Sequence, residues 1–115
     1  MGAINKAQFI ENFQYFDKEI VLEIIDIFLK EYPERIKTIA ADIEAGDCDN
    51  LKFNAHSIKG VIANFVAPDA EQCARELEIM ATEKNMDGVK ELFVEFKESS
   101  ESMVDELKEL RENFT

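Results

Sequence analysis

The only histidine of the 115-residue chain, His56, lies in the stretch FNAHSIKGVIANF at positions 53–65. At about 100° per residue, a helix over this stretch turns His56 away from the apolar face and toward solvent. Its neighbours one helical turn away include Lys52, Lys59 and Gly60. A neutral imidazole has a free lone pair and can act as a nucleophile, and the lysines would stabilise an anion on the ring. The pattern therefore predicts an exposed nucleophilic histidine beside positive charge.

Two further features mark this segment. A glycine inside a helix costs about 1 kcal/mol relative to alanine, so Gly60 indicates either clearance for another surface or close packing of a neighbouring helix. Ala63, one turn further along, also removes bulk beside the ring. Residues 51–68 contain none of the chain's 25 acidic residues, although the formal net charge is −12. We therefore expect an anion to be held at this segment and not elsewhere.

Several other kinds of site are excluded by the residues available. One histidine cannot build a di-iron carboxylate bundle, and Cys48 and Cys73 do not form a zinc motif. We expect these cysteines to be free thiols of an intracellular protein, and we expect no metal site. Without a Gly-rich phosphate loop, neither ATP binding nor self-phosphorylation is expected. The acidity argues against nucleic acid and anionic membranes as partners, and no apolar run is long enough to cross a bilayer.

The elements that must position His56 are helices, because breakers are few and alternating strand patterns are absent. Apolar residues recur at helical spacing over residues 5–13, 17–32, 36–46, 50–65, 68–81 and 89–110. At Pro33 the sequence allows a break, a kink or the first turn of a new helix. The short connections imply antiparallel neighbours. We predict an all-α fold: an up-down antiparallel four-helix bundle with one or two short extra helices at the N-terminal side, forming a single domain over residues 1–115.

The segment 17–32 is more apolar than a helix with one core face requires. Ile20, Leu22, Ile27 and Leu29 all lie outside its predicted core face. Such a helix is either buried on several sides or exposes a docking patch. The sequence leaves open both burial under the N-terminal segment and docking of a partner.

The sequence AHSIKG at 55–60, on a helix of an all-α chain of this length, resembles the histidine-containing phosphotransfer (HPt) domain. The pattern of that family is approximately A-H-x-L-K-G, followed downstream by a helix with a Leu-Glu pair, and ELE at 76–78 fits the downstream part. The family usually has a glycine ten positions after the histidine, where this chain has Val66. This departure allows a different end for the helix that carries the histidine.

The resemblance implies a phosphorelay intermediate. His56 would accept a phosphoryl group, through Nε2, from the phospho-aspartate of a receiver domain and pass it to another receiver domain. Lys59 would hold the phosphoryl oxygens, and Lys52 would be a weaker second contact. Four residues of the same segment would form the docking surface for the receiver: Phe53, Gly60, Ala63 and Asn64.

The resemblance also implies a phosphocarrier without autokinase activity and without an intrinsic cofactor, with Mg²⁺ supplied by the receiver. Its partners would be the receiver domains of response regulators or hybrid sensor kinases, and we expect a cytoplasmic monomer. Two alternatives stay open. The first is a helical adaptor that binds receiver or other signalling domains without phosphotransfer. The second is a structural bundle in which His56 is an ordinary surface histidine.

Overall fold

The computed structural model describes residues 2–114, and the regular elements over this range are all helical. Its elements are α1 (Lys6–Phe13), α2 (Lys18–Ala45), α3 (Cys48–Asn64), α4 (Pro68–Glu83), α5 (Val89–Arg111) and a 3₁₀ turn (Glu112–Phe114). Helices α2 to α5 form a bundle in which α2 contacts α3, α3 contacts α4, and α5 closes the ring by contacting both α4 and α2. The short helix α1 is the extra element at the N-terminal side, which confirms the predicted fold class.

Local signals set the ends of the helices. Gly46 adopts φ 65° and ends α2 in the left-handed conformation, which glycine adopts at no steric cost. The side chain of Asp47 accepts a hydrogen bond of 3.1 Å from the backbone N–H of Asn50 and caps the start of α3. Pro68 lies in the first turn of α4, where its missing N–H has no partner to lose. The residue types at these positions therefore account for where the helices begin and end.

Pro33 does not end a helix. Helix α2 continues through it from Lys18 to Ala45, so the expectation of a break or of a new helix at Pro33 is wrong. A proline inside a helix loses one hydrogen bond and crowds the carbonyl four residues earlier, at a cost of about 3 kcal/mol. The buried residues Tyr32 and Ile39, which flank the exposed proline, hold both halves of α2 against the core. Tertiary packing therefore outweighs the local cost of the proline.

The core fills the space between the four long helices. Its largest fully buried side chains come from all of α1 to α5 and from the residue that follows α3: Phe9, Phe28, Phe65, Phe96, Ile25, Ile39, Leu51, Ile58, Ile62, Leu77, Met103 and Leu107. A polar contact crosses it, a hydrogen bond of 2.6 Å between the buried hydroxyls of Tyr32 and Ser100, which joins α2 to α5. The most extensive helix contact is that between α3 and α4. This pair therefore sets the relative position of side chains that face each other across the two helices.

The surplus apolar residues of α2 have two different fates. Leu29 packs against the core, whereas Ile20 and Ile27 remain 45% and 50% exposed. The N-terminal segment therefore does not bury this face of α2 completely. Burial alone is an incomplete explanation for the apolar character of the helix.

The residues before α1 are attached to two other elements. The carboxylate of Glu106, on α5, accepts hydrogen bonds from the backbone N–H groups of Ala3 and Ile4, at 2.6 and 3.0 Å. The backbone N–H of Asn5 donates to the carbonyl of Val66, just beyond α3, at 2.8 Å. These contacts fix where α1 begins and place it against the end of α3.

Candidate functional site

His56 lies on the solvent side of α3. The core side of the same helix is formed by Ala55, Ile58 and Ile62, which are fully buried. The side chain of His56 is 68% exposed. The predicted outward orientation of the ring is therefore confirmed.

A carboxylate from α4 holds the ring of His56. The Oε2 atom of Glu78 lies 2.8 Å from Nδ1 of His56, and its Oε1 atom lies 2.6 Å from Nζ of Lys59. An ionised carboxylate only accepts hydrogen bonds, so the proton of a neutral ring belongs on Nδ1 in this geometry. The lone pair then resides on Nε2, the nitrogen left to attack an electrophile.

The charge of Glu78 is maintained by its two partners. The side chains of Glu78 and Lys59 are only 18% and 20% exposed. Burial raises the pKa of the Glu78 carboxyl, but the hydrogen bonds from Lys59 and His56 outweigh this effect, so the pKa lies below its usual range. Glu78 is therefore an anion at neutral pH.

Glu78 is the site residue that the sequence analysis missed. A signal existed, because ELE at 76–78 matches the Leu-Glu pair of the HPt pattern. The contact with His56 joins residues 22 positions apart on two helices. It depends on the rotation of α4 relative to α3, which the periodicity of neither helix contains.

The positive charge around His56 is smaller than the sequence count indicates. The segment 51–68 has no acidic residue, but α4 brings Glu78 onto Lys59. Asp49 lines the same shallow depression as Lys52. Lys59 is therefore paired in the free protein, whereas Lys52 is exposed beside the ring.

Four predicted docking residues lie with His56 along one exposed side of α3, here called the His56 face: Phe53, His56, Gly60, Ala63 and Asn64. Apart from the backbone of α3 itself, a Cβ atom added to Gly60 would meet nothing within 4 Å. Close packing of a neighbouring helix, the alternative explanation for this glycine, is therefore wrong. The space above Gly60 is open to solvent.

A groove extends the His56 face beyond the end of α3. The groove is lined by Ala63 and Asn64 of α3, by Asn12 of α1 with Phe16 in the turn that follows it, and by Ile24 of α2. The contribution of the N-terminal segment to this surface was not predicted. Phe16, in the turn after α1, remains an exposed aromatic residue in the folded protein, and its sequence neighbours gave no sign of this exposure.

Val66 follows α3 with φ 56°, in the left-handed region. A β-branched residue is rare in this conformation, which glycine adopts freely. The N–H of Val66 donates to the carbonyl of Ala63 at 3.2 Å, which closes the end of the helix. The chain therefore takes at Val66 a backbone conformation that favours glycine, and the departure from the HPt pattern adds strain.

Residues 2–114 offer neither a metal site nor a membrane span. The acidic, cysteine and histidine side chains in this range form no group of three or more that could hold a metal ion. No helix in the described range is long and apolar enough to span a membrane. Cys48 and Cys73 are free thiols, as predicted.

Comparisons with known proteins agree with this geometry. The sequence model of the Hpt domain family matches residues 23–113. No curated protein matches the chain. A solved structure, that of histidine-containing phosphotransfer protein B (HptB) from Pseudomonas aeruginosa PAO1, superposes with a TM-score of 0.88 at 21% identity, covering 98% of this chain and 97% of that one. At this identity the superposition shows a shared fold, and the family match spans most of the sequence, including His56 and Glu78. The chain therefore belongs to the Hpt domain family.

Proposed function

We propose that the protein is a phosphorelay intermediate in two-component signalling. His56 accepts a phosphoryl group from the phospho-aspartate of one receiver domain and passes it to another receiver domain. The observation that carries this proposal is the single histidine of an Hpt domain, 68% exposed, whose Nδ1 is held 2.8 Å from a carboxylate. This arrangement leaves Nε2 free to attack phosphorus.

The transfer is an in-line displacement, for which positioning and charge stabilisation supply most of the rate. The Nε2 lone pair attacks phosphorus while the bond from phosphorus to the aspartate oxygen breaks. The bonding electrons leave with the carboxylate of the receiver. No base is needed, because Nε2 of His56 carries no proton in the tautomer that Glu78 stabilises.

Two lysines supply positive charge for the phosphoryl oxygens. Lys59 has three donors on Nζ, so its ammonium can contact a phosphoryl group while remaining near Glu78. Lys52 is the weaker second contact, from the exposed rim of the depression around His56. In this proposal Mg²⁺ enters with the receiver, and the protein is a phosphocarrier without autokinase activity.

The receiver docks on the His56 face. Gly60 leaves space for its active-site loops, and the exposed ring of Phe53 offers an apolar contact beside His56. Apart from the histidine, the face consists of uncharged side chains, on a chain with a formal net charge of −12. An uncharged, partly apolar patch on a strongly charged surface is the kind of area that proteins use for docking. The partners are receiver domains of response regulators or hybrid sensor kinases. The protein binds them as a monomer in the cytoplasm.

Radiolabelled receiver domains test the proposal. After incubation with several phosphorylated receivers, the wild-type protein should carry an acid-labile, alkali-stable label, and the His56→Gln variant should carry none. Binding of a receiver without any label would instead support the helical adaptor. Neither binding nor label with any receiver would leave the bundle as a structural protein.

A further inference from the structure

The depression around His56 contains charges of both signs before any phosphoryl group arrives. Its lining includes Asp49 and Lys52 of α3 and Glu78 of α4. Lys59 lies beyond Glu78 and is paired with it at 2.6 Å. Each lysine is thus accompanied by a carboxylate, and the charges of these four side chains sum to zero. The site therefore attracts a phosphoryl group less strongly than its two lysines alone would.

Asp49 is the carboxylate of this set that does not touch the ring. It is an exposed residue in the first turn of α3, and it makes no ion pair within residues 2–114. Seven residues separate it from His56 along the chain, which is about two helical turns and 10.5 Å of rise. The two side chains therefore project from the same side of the helix and share one depression. At this distance Asp49 acts on the ring through its charge.

We propose that Asp49 weakens the phosphorylated state of His56 by charge repulsion, and so favours onward transfer of the phosphoryl group to a receiver. A phosphoryl group on a side chain carries about 1.5 to 2 negative charges near pH 7, and the carboxylate of Asp49 adds another to the same depression. Asp49 makes no bond to the reacting atoms, so the displacement at phosphorus is unchanged. This inference rests on the proposed function of His56 as the phosphoryl acceptor.

The equilibrium of phosphoryl exchange with a receiver measures this repulsion. Asp49→Asn should raise the ratio of phosphorylated His56 to phosphorylated receiver by about threefold at 0.01 M salt. The shift should fall below about twofold at 0.15 M salt, where charges at this distance are largely screened. Asp49→Glu retains the charge and should behave as the wild type does. Radiolabel on each protein is measured after equilibrium is reached from both directions, with the receiver that labels the wild type most strongly.

The equilibrium ratio separates charge repulsion from a role of Asp49 in docking. In dilute solution, a docking contribution would change the forward and reverse rates by the same factor and leave the ratio unchanged. The matched control is Asp69→Asn, because Asp69 is an exposed acid in the first turn of α4, outside the depression around His56. Asp69→Asn changes the net charge equally and should keep the wild-type ratio. An unchanged ratio for Asp49→Asn, or an equal shift for both variants, would overturn the inference.

Phosphorus NMR gives a second measurement that needs no receiver. The protein is loaded with phosphoramidate, a small phosphoryl donor, and the phosphorus resonance is followed between about pH 6 and pH 9. A nearby anion favours protonation, so Asp49→Asn should lower the midpoint of this titration by about 0.2 unit at 0.01 M salt, and Asp69→Asn should not.

The two measurements also distinguish this inference from the proposed function. Normal receiver transfer, with neither the ratio nor the midpoint shifted in Asp49→Asn, would refute this inference alone. A lowered midpoint in a protein that no receiver can label would refute the proposed function alone.

Discussion

Position 60 is a glycine, although the bundle has room for a side chain there. The open space above Gly60 shows that the fold itself does not require glycine there. Within a helix, glycine is the less stable choice. Glycine at this position therefore fits the proposed docking of a receiver better than it fits the stability of α3.

Gly60→Ala should change stability and docking in opposite directions. We expect the free energy of unfolding to rise by about 0.5–1 kcal/mol, because alanine stabilises the helix. The added methyl group would crowd a docked receiver at a cost of about 1.4 kcal/mol, or roughly a tenfold loss in kcat/KM for transfer. Urea unfolding and receiver-transfer kinetics measure the two effects, and loading by phosphoramidate should not change.

Ser102→Ala, on the exposed side of α5, is the control for helix propensity alone. It should leave receiver transfer at the wild-type rate. A Gly60→Ala variant that transfers as fast as the wild type would contradict the assignment of Gly60 to the docking surface.

Val66 stores backbone strain just beyond the helix that carries His56. Its φ of 56° is costly for any residue with a Cβ atom, by about 1–2 kcal/mol. Val66→Gly and Val66→Ala both remove the methyl groups of valine, but only glycine relieves the backbone. We expect Val66→Gly to be more stable than Val66→Ala by about 1 kcal/mol in urea unfolding. Equal stability of the two variants would show that the left-handed conformation carries no strain.

Individual residues of the site were predictable to different degrees. The exposure of His56 follows from helical periodicity and was predicted correctly, whereas the sequence left open whether Gly60 faces solvent or a neighbouring helix. The pairing of Lys59 with Glu78 was not foreseen, because it depends on how two helices face each other. Periodicity shows which side of a helix is polar, but it does not show which polar group of another helix contacts that side.

At the scale of the elements, the ends of the helices follow from the residues at those ends. The continuity of α2 through Pro33 does not follow from local residues. Gly46 and Pro68 act through their own backbone preferences and Asp47 through its short side chain, so their roles could be assigned from sequence. Pro33 opposes the helix locally, but the buried residues Tyr32 and Ile39 on either side of it hold α2 against the core. The sequence of one segment does not contain that tertiary contribution.

The attachment of the N-terminal segment to α5 should depend on pH. Burial raises the pKa of Glu106, but the N–H groups of Ile4 and Ala3 outweigh this effect, and the pKa in the folded protein is lowered. The folded state therefore binds fewer protons than the unfolded state at acidic pH. The contribution is complete above the pKa of the unfolded carboxyl, about 4.3, and is lost as the pH falls through the lower folded value.

Glu106→Gln should remove this dependence. At pH 7 we expect it to lower the free energy of unfolding by about 1 kcal/mol, because the hydrogen bonds from Ala3 and Ile4 lose a charged acceptor. The difference from wild type should shrink as the pH falls below about 4. Urea unfolding at several pH values measures it, with Glu101→Gln on the exposed side of the same helix as the control. A difference that stays constant with pH would contradict the role of the ionised carboxylate.

For the molecule as a whole, the dominant electrostatic feature is a formal net charge of −12 on a body of 42 × 25 × 19 Å. The Debye length falls from about 30 Å at 0.01 M salt to about 8 Å at 0.15 M, which is shorter than every dimension of the molecule. Self-repulsion is therefore strong at low salt and screened at physiological salt.

Adding NaCl over this range should stabilise the protein by an amount on the order of 1 kcal/mol in urea unfolding. Exposed ion pairs such as Asp26–Arg111 would lose strength under the same conditions, but such pairs contribute little. KCl at equal ionic strength should give the same result. A decrease in stability with either salt would mean that attractive pairs outweigh the net repulsion.

The overall architecture was the most predictable level of all. Helical periodicity and short connections suffice to predict an antiparallel bundle, because each apolar face can be buried only against another. What periodicity could not supply was the course of the residues before α1, which depends on hydrogen bonds to Glu106 and Val66.

The bond from the Asn5 amide to the Val66 carbonyl ties the first helix to the end of the helix that bears His56. This hydrogen bond thus fixes the position of the groove wall near α1 relative to the helix that carries the nucleophile. In the proposed complex, the distance from a receiver on this wall to Nε2 of His56 would depend on the hydrogen bond between Asn5 and Val66. A change of the backbone at position 66 would therefore alter how the receiver is aligned with His56 while leaving the chemistry of the ring unchanged.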